Sequence, residues 1–169
     1  MVAKMFELGE QPYSEADAEW DAFVAAHPRG SLLQTTNWAR LKSRFGWTSQ
    51  RVWMRRDGRL VGGAQVLFRP LPVIGKTLAY VPMGPYTTPQ ADPAAVWDAI
   101  HQFARKHHAA FVKWEPGLFV DDTPPNPAQF GFRPSQQTVQ PPRTILIDIG
   151  ADDETILGRM NQGTRRKIR

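Results

Sequence analysis

Hydrophobic residues recur every three or four positions in several stretches of the chain, which is the spacing of one face of an α-helix. A first helix is predicted after a capping pair at Ser14 and Asp17, and it should end near Pro28. A second short helix is predicted after a cap at Thr35 or Thr36. The apolar stripes of these two helices are Trp20, Phe23 and Val24 in the first and Trp38, Leu41 and Phe45 in the second.

A stronger helix signal begins at Asp92-Pro93, which combines an N-cap acceptor with a proline at the first helical position. Its apolar face consists of Val96, Trp97, Ile100, Phe103 and Ala104. Another helix is predicted from Asp152, with acidic residues at the positive end of its dipole. That helix, or a successor capped at Thr164, carries the basic pattern to Arg169.

Between the helices, the hydrophobic pattern changes to that of β-strands. A hairpin is predicted from Gln50–Arg56 and Leu60–Arg69, because Asp57-Gly58 between them is a favoured two-residue turn. Proline donates no backbone hydrogen bond, so Pro82 to Pro85 should leave the sheet. The remaining strands are predicted at Leu78–Val81, at Ala110–Trp114 as a buried strand, and at Thr144–Ile149, the segment with the clearest strand composition.

Length and composition are those of a folded protein with one domain or two small lobes sharing a core. The chain has 169 residues, of which 41% are hydrophobic. No apolar stretch approaches the roughly 20 residues of a membrane helix, and the first ten residues hold no signal-peptide core. We therefore expect a cytoplasmic protein without a transmembrane segment. The absence of cysteine excludes disulfides and thiolate metal sites.

The positive charge is concentrated at one end of the sequence. The last eleven residues, from Arg159 to Arg169, hold five basic side chains and no acidic one, and these account for the net charge of +5. A basic end on a neutral body indicates a local anion site or a piece of a larger chain, rather than a basic surface that binds nucleic acid throughout. A solvated basic tail without a ligand is the alternative.

Several common chemistries lack support in the sequence. There is no glycine-rich dinucleotide or phosphate loop, and no serine in a nucleophile elbow. His107 and His108 are adjacent and have no second ligand at metal-binding spacing, so their simplest role is at the negative end of a helix dipole. We predict neither a cofactor nor a bound metal, and we do not expect covalent catalysis.

Two positions remain as candidates for chemistry. Lys42 stands beside an aromatic stripe on the basic second helix, which could also be an ordinary solvated face. Glu115 follows a strand of bulky residues and precedes Pro116, where a partly desolvated carboxylate could take a proton from an amine. The alternative for Glu115 is a simple surface carboxylate.

With these residues placed, the chain resembles the first half of the FemAB family of peptidoglycan-bridge aminoacyltransferases. The order and spacing of several short segments carry the resemblance. These segments are GSLLQTTNW at 30–38 with Lys42, YVPMGP at 80–85, VKWEP at 112–116, GFR at 131–133, QPPRTILIDI at 140–149 and MNQGTRRKIR at 160–169.

The resemblance implies an α/β fold related to GNAT acetyltransferases, with a mixed, largely antiparallel sheet flanked by helices. Family members transfer an amino acid from aminoacyl-tRNA to the stem peptide of a nucleotide-linked or lipid-linked cell-wall precursor, a function in peptidoglycan synthesis and cell shape. Such a protein could also contact the inner membrane surface peripherally. Residues 1–158 would be the first, precursor-binding lobe, and residues 159–169 would begin a basic junction helix to an absent second lobe.

The resemblance also implies roles for individual residues. Lys42, with Trp38 beside it, matches the family's contact to the precursor diphosphate, and an ammonium is a suitable point charge for phosphate. Glu115 matches an acidic residue near the acceptor amine. The other implied substrate-binding residues are Tyr80 and Phe111 in the cleft and Arg165 and Arg169 in the junction helix.

Two other functions remain open at this stage. A non-catalytic module could grip RNA or another polyanion through the basic C-terminus. A stand-alone acyl-CoA-dependent acetyltransferase is less favoured, because no pyrophosphate loop lies between a strand and a helix. If the second lobe is absent, we expect a folded fragment with little or no catalytic activity.

Overall fold

A single twisted sheet forms the centre of the protein. In the computed structural model, which describes residues 7–11, 17–72 and 75–168, this sheet has six strands. The strands are β1 (Glu7–Gln11), β2 (Thr48–Arg56), β3 (Arg59–Pro70), β4 (Thr77–Pro82), β5 (Tyr86–Thr87) and β6 (Ala109–Glu115). The helices are α1 (Asp17–Ala26), α2 (Thr36–Ser43), α3 (Pro93–Lys106), α4 (Asp153–Arg159) and α5 (Gln162–Ile168). The predicted cap at Ser14 lies outside the described residues.

The sheet is mixed but mostly antiparallel, as expected. Its strands lie in the order β1, β2, β3, β4 and β6, and β5 pairs with β3 beyond the end of the β3–β4 ladder. Only the β4–β6 pairing is parallel among the described strands, and α3 forms the crossover between those two strands. The two-strand hairpin is confirmed: Asp57 and Gly58 both have positive φ, as a type I′ turn requires.

Helix α3 covers one face of the sheet. Asp92 caps it by accepting a hydrogen bond from the Ala94 amide at 2.9 Å, and the predicted proline start is confirmed. All five predicted apolar residues of this helix are buried, and they pack on side chains from β2, β3 and β4. This face is the main hydrophobic core.

Helices α1 and α2 lie on the other face of the sheet. The first is held by Trp20 and Val24, which pack on Tyr86, and β3 approaches β2 closely beneath Trp20. Only glycine fits at position 63 there, because φ is +154° and a Cβ would lie 2.4 Å from the Val52 carbonyl oxygen. Helix α2 begins after a cap at Thr35.

Two sequence predictions about packing are wrong. The buried positions of α2 are Thr36 and Ala39, whereas Leu41 and Phe45 of the predicted stripe are 45% and 65% exposed. The helix has only eight residues and ends at Ser43, and the positions that it buries lie in its first half, so Leu41 and Phe45 stay uncovered within the described chain. Strand β6 exists but is not buried: it pairs with β4 alone in the described chain, and Phe111 is 53% exposed.

The prediction for Thr144–Ile149 is also wrong in its main point. The segment forms no strand, and Ile145, Leu146 and Ile147 are 65% or more exposed. Strand composition is only a preference, and a strand requires a partner to pair with its backbone groups. Beyond it, α4 is capped by Asp152 as predicted, whereas α5 is capped by Asn161 rather than Thr164, through the Thr164 amide.

Candidate functional site

Glu115 ends β6, and its carboxylate is held by three hydrogen-bond donors. The Tyr80 hydroxyl lies 2.5 Å from Oε2, the Gln140 amide donates to the same oxygen at 2.9 Å, and the Val139 amide donates to Oε1 at 2.5 Å. The Glu115 side chain is only 15% exposed. A carboxylate offers about four acceptor sites, so about one is left after these three hydrogen bonds.

Lys113 adds a positive charge beside this carboxylate. Its ammonium is 4.0 Å from Glu115 Oε1, and it also donates to the carbonyl oxygen of Gln137. Lys113 and Glu115 therefore hold residues 137–140 against the end of β6 through hydrogen bonds. We call residues 137–140 the strap. The strap comes from a distant part of the sequence, so this arrangement could not be read from the VKWEP segment alone.

Tyr80 contacts both Glu115 and Trp47, a tryptophan that follows α2. It lies in β4 and is 2% exposed, and its ring centroid is 6.2 Å from that of Trp47. Burial, and then the hydrogen bond to Glu115, raise the pKa of the Tyr80 hydroxyl above its usual range. The phenol therefore stays protonated at neutral pH and acts as a donor to Glu115 rather than as a base.

Lys42 lies over two tryptophan rings. Its ammonium is 4.7 Å from the Trp47 centroid and 5.7 Å from the Trp38 centroid. Trp38 packs on the cluster formed by Trp47, Leu67 and Tyr80, and its indole nitrogen is buried without a hydrogen-bond partner in the described chain. The ammonium is thus positioned by aromatic contacts on the side of α2 that faces the sheet.

Strand register places the candidates on one face of the sheet. Side chains that are paired between neighbouring strands point to the same side, and Tyr80 pairs with Lys113 while Leu78 pairs with Phe111. Because alternate residues share a face, Phe111 and Glu115 lie on the same side as Tyr80 and Trp47. Tyr80, Phe111 and Glu115 thus share one face of the sheet, and Lys42 and Trp38 join them through the cluster of Trp47, Leu67 and Tyr80.

A groove runs along β6 beneath the strap. Its volume is about 990 Å³, and its lining includes Phe111, Lys113, Glu115 and Gln140. Lys42 and Trp38 are not part of this lining, so the predicted residues form two groups: Phe111 and Glu115 in the groove, and Lys42 and Trp38 beside Trp47. Tyr80 contacts both groups, because it packs on Trp47 and donates to Glu115.

Arg165, one of the two arginines predicted from the basic segment, is not among the residues that line this groove. Within the described chain it donates to nearby carbonyl oxygens, those of Gly158 at 3.2 Å and Met160 at 3.0 Å. Arg169 lies outside the described residues.

Gln34 is a positioning residue that sequence reasoning missed. It is completely buried at the point where the pairing of β3 with β4 ends. Its carboxamide makes hydrogen bonds to backbone groups of both strands there, in place of the bonds that the two strands would make to each other. It donates to the carbonyl oxygens of Gln65 and Pro82 at 3.1 and 2.6 Å, and it accepts from the Gln65 amide at 2.7 Å. Pro82 is the register partner of Glu115, so Gln34 fixes the end of β4 that supports the carboxylate. The sequence signal that could have identified Gln34 is its position as an uncharged polar residue inside the GSLLQTTNW segment.

Comparisons with known proteins agree on one family. The model of the FemAB family matches residues 16–140. The chain is 35% identical over 164 residues to the lipid II:glycine glycyltransferase of Staphylococcus haemolyticus (strain JCSC1435), and 34% identical to that of Staphylococcus aureus. Each alignment covers 89% of this chain and 39% of the relative, so the chain spans about two fifths of the length of these proteins.

Solved structures show the same relationship and the fold. The crystal structure of FemX matches with a TM-score of 0.72 and 28% identity, over 95% of this chain and 42% of FemX. An aminoglycoside acetyltransferase from an uncultured soil metagenomic sample matches with a TM-score of 0.55 and 13% identity, over 86% of this chain and 100% of its own. At that identity the second likeness shows the fold alone, and it confirms the expected GNAT-like architecture.

Proposed function

The chain belongs to the FemAB family, and we propose that it forms the acceptor-binding part of an aminoacyltransferase acting on a peptidoglycan precursor. The amino acid would come from aminoacyl-tRNA and would be transferred to an amine of the precursor's stem peptide. The staphylococcal relatives are lipid II:glycine glycyltransferases, and this supports the proposed substrate class. The observation that carries the proposal is the connection of Lys42 to Glu115 through Trp47 and Tyr80 on one face of the sheet.

In this proposal Glu115 receives the acceptor amine. The carboxylate has about one acceptor site left, and an ammonium bound there could lose a proton before attack. Glu115 takes that proton, and the free amine nitrogen then forms a bond to the ester carbon of the aminoacyl-tRNA. The bond from that carbon to the ribose oxygen breaks, and a second proton passes from the attacking nitrogen to this oxygen, so that a neutral amide and a ribose hydroxyl are formed. Positioning supplies most of the rate increase, since the ester is already activated.

Lys42 has the complementary role of holding the precursor's phosphate. A compact ammonium over two aromatic rings is a point charge suited to a phosphate oxygen. We further propose that the parts of full-length relatives that this chain does not span supply most of the donor site. The protein would act on the cytoplasmic side of the membrane, and none of the helices in the described ranges is long and apolar enough to cross a bilayer.

Precursor binding tests this proposal directly. Two ligands are compared by calorimetry: a nucleotide-linked precursor with a free stem-peptide amine, and the same precursor with that amine acetylated. We expect the free amine to bind about threefold more tightly, because the ammonium pairs with Glu115. Glu115→Gln should abolish this preference.

The same measurement can contradict the proposal. Failure of the folded chain to bind either precursor at millimolar concentration, or an amine preference that survives in Glu115→Gln, would do so. Circular dichroism of each variant controls for loss of fold.

A polyanion-binding module is a second candidate, supported by α5. This helix presents Arg166 and Lys167 to solvent, and within the described residues it has no acidic side chain in its sequence. RNA binding through this helix would weaken steeply with the logarithm of salt concentration and would disappear on neutralisation of its basic residues. Precursor binding should instead depend on Lys42 and Glu115 and be insensitive to those changes.

A further inference from the structure

The groove along β6 holds more positive than negative charge. Its lysine, arginine and acidic lining residues are Arg105, Lys113, Arg133 and Glu115. Lys113 and Glu115 are 4.0 Å apart and offset each other's charge. Arg105 and Arg133 are exposed, and the ion pairs found within residues 7–11, 17–72 and 75–168 include neither of them. The groove therefore offers two cations that an anionic ligand can neutralise.

One contact of α3 brings the two arginines to the same part of the groove. His101 precedes Arg105 by four residues, so the two side chains lie on one side of the helix. The ring centroid of His101 is 5.3 Å from that of Phe132, and Phe132 directly precedes Arg133. All four residues line the groove. Arg105 and Arg133 therefore flank the contact between His101 and Phe132, one from the helix and one from the segment that packs on it.

The helix also sets the distance between these cations and Glu115. Trp97 of α3 contacts Trp114, the neighbour of Glu115, with ring centroids 4.7 Å apart. Arg105 follows Trp97 by eight residues, which is about 12 Å along an α-helix. An amine at Glu115 and an anion at Arg105 must therefore belong to an elongated ligand. Three or four residues of extended peptide span such a distance.

We propose that Arg105 and Arg133 bind a carboxylate of the acceptor peptide while the amine of the same peptide lies at Glu115. A planar guanidinium can donate two parallel hydrogen bonds to a carboxylate. A peptide can carry both an amine and a carboxylate, and opposite charges along the groove would fix its direction. The peptide's amine would then be presented to Glu115 in one orientation. This inference rests on the proposed function, because that function supplies the peptide.

A preference for free carboxylates measures this contact separately from the amine site. Calorimetry compares the nucleotide-linked precursor with the same precursor whose peptide carboxyl groups are converted to carboxamides. The free carboxylates should bind about tenfold more tightly, because each exposed arginine contributes about threefold. Arg105→Gln and Arg133→Gln should each reduce the preference to about threefold, and the double variant should remove it. Because the preference is a ratio within one protein, a general weakening of binding does not change it.

Arg44→Gln is the matched control, because Arg44 is an exposed arginine outside the groove lining and the variant loses the same charge. It should keep the full preference. Arg105→Lys retains the charge without the paired donors and should keep part of the preference. Equal affinities for the two precursors in the original protein, a preference that survives in the double variant, or an equal loss in Arg44→Gln would overturn the proposal. Circular dichroism of each variant controls for loss of fold.

The outcomes separate this inference from the proposed function. A preference for the free amine without one for the free carboxylates would leave the function standing and overturn the carboxylate site. A carboxylate preference that depends on both arginines, without an amine preference, would keep the carboxylate site and contradict the function. If the precursor does not bind, a lysine-containing tetrapeptide is compared as its free acid and its amide. Equal binding of these two forms would overturn the carboxylate site as well.

Discussion

Glu115 combines a candidate chemical role with a structural one. Its carboxylate accepts hydrogen bonds from Tyr80 and from two amides of the strap, so replacing it affects both proton transfer and the position of residues 139 and 140. Loss of activity in a Glu115 variant would therefore be ambiguous by itself. The amine preference of the precursor is a better measurement, because a loosened strap alone would not remove it selectively.

At the residue scale, the raised pKa of Tyr86 predicts how the free energy of unfolding depends on pH. Burial raises the pKa of Tyr86 to about 12, and its hydroxyl donates to the Arg29 carbonyl oxygen at 3.0 Å. In the unfolded chain the phenol ionises near pH 10, whereas the folded protein keeps the proton until about pH 12. The free energy of unfolding should therefore fall between these values, by up to about 1.4 kcal/mol per pH unit from this group.

Tyr86→Phe isolates this effect from the titration of other groups. The variant should be less stable at neutral pH, by about 1 kcal/mol for the lost hydrogen bond, and its stability should decline less steeply between pH 10 and 12. Denaturant unfolding at several pH values measures both slopes. Parallel slopes for the two proteins would show that Tyr86 does not retain its proton.

At the scale of elements, the order of helices and strands was largely predictable from local patterns. The Asp92-Pro93 start, the Asp57-Gly58 turn and the apolar face of α3 depend on neighbouring residues, and the structure confirms each of them. The prediction for Thr144–Ile149 was wrong because pairing is decided by distant segments. Within the described chain, nothing covers these apolar side chains or pairs with their backbone as a strand.

A matched pair of substitutions tests whether this segment belongs to the core. Ile145 is 85% exposed and Ile100 is 0% exposed. Ile145→Ala should change the free energy of unfolding by less than about 0.5 kcal/mol, whereas Ile100→Ala should lower it by about 2–5 kcal/mol. A loss above about 1 kcal/mol for Ile145→Ala would mean that the segment packs on this fold in solution.

At the scale of the whole molecule, the chain corresponds to only part of the relatives that it matches. It spans 39% of the glycyltransferases that it resembles and 42% of FemX. Its described residues contain the groove along β6, to which we assign the acceptor, and the proposal assigns most of the donor site to the parts of relatives that lie outside this match.

We therefore expect binding without efficient turnover from this chain alone. Incubation with aminoacyl-tRNA and precursor should give transfer at least about a hundredfold slower than a full-length family member, because correct positioning of both substrates supplies much of the rate. Mass spectrometry of the precursor measures the added amino acid, with the full-length relative as the control. Comparable rates would contradict the assignment of the donor site to other parts of the family fold.

The sequence by itself determined most of the local elements, the family resemblance and the two positions, Lys42 and Glu115, around which the proposed site is built. The tertiary structure alone decided what surrounds them. Tyr80 and Gln140 reach Glu115 from 35 and 25 residues away, and Lys42 of α2 and Arg69 of β3 both contact the ring of Trp47. Helices and tight turns depend on neighbouring residues, whereas strand partners, burial and the surroundings of a charge depend on contacts between distant segments.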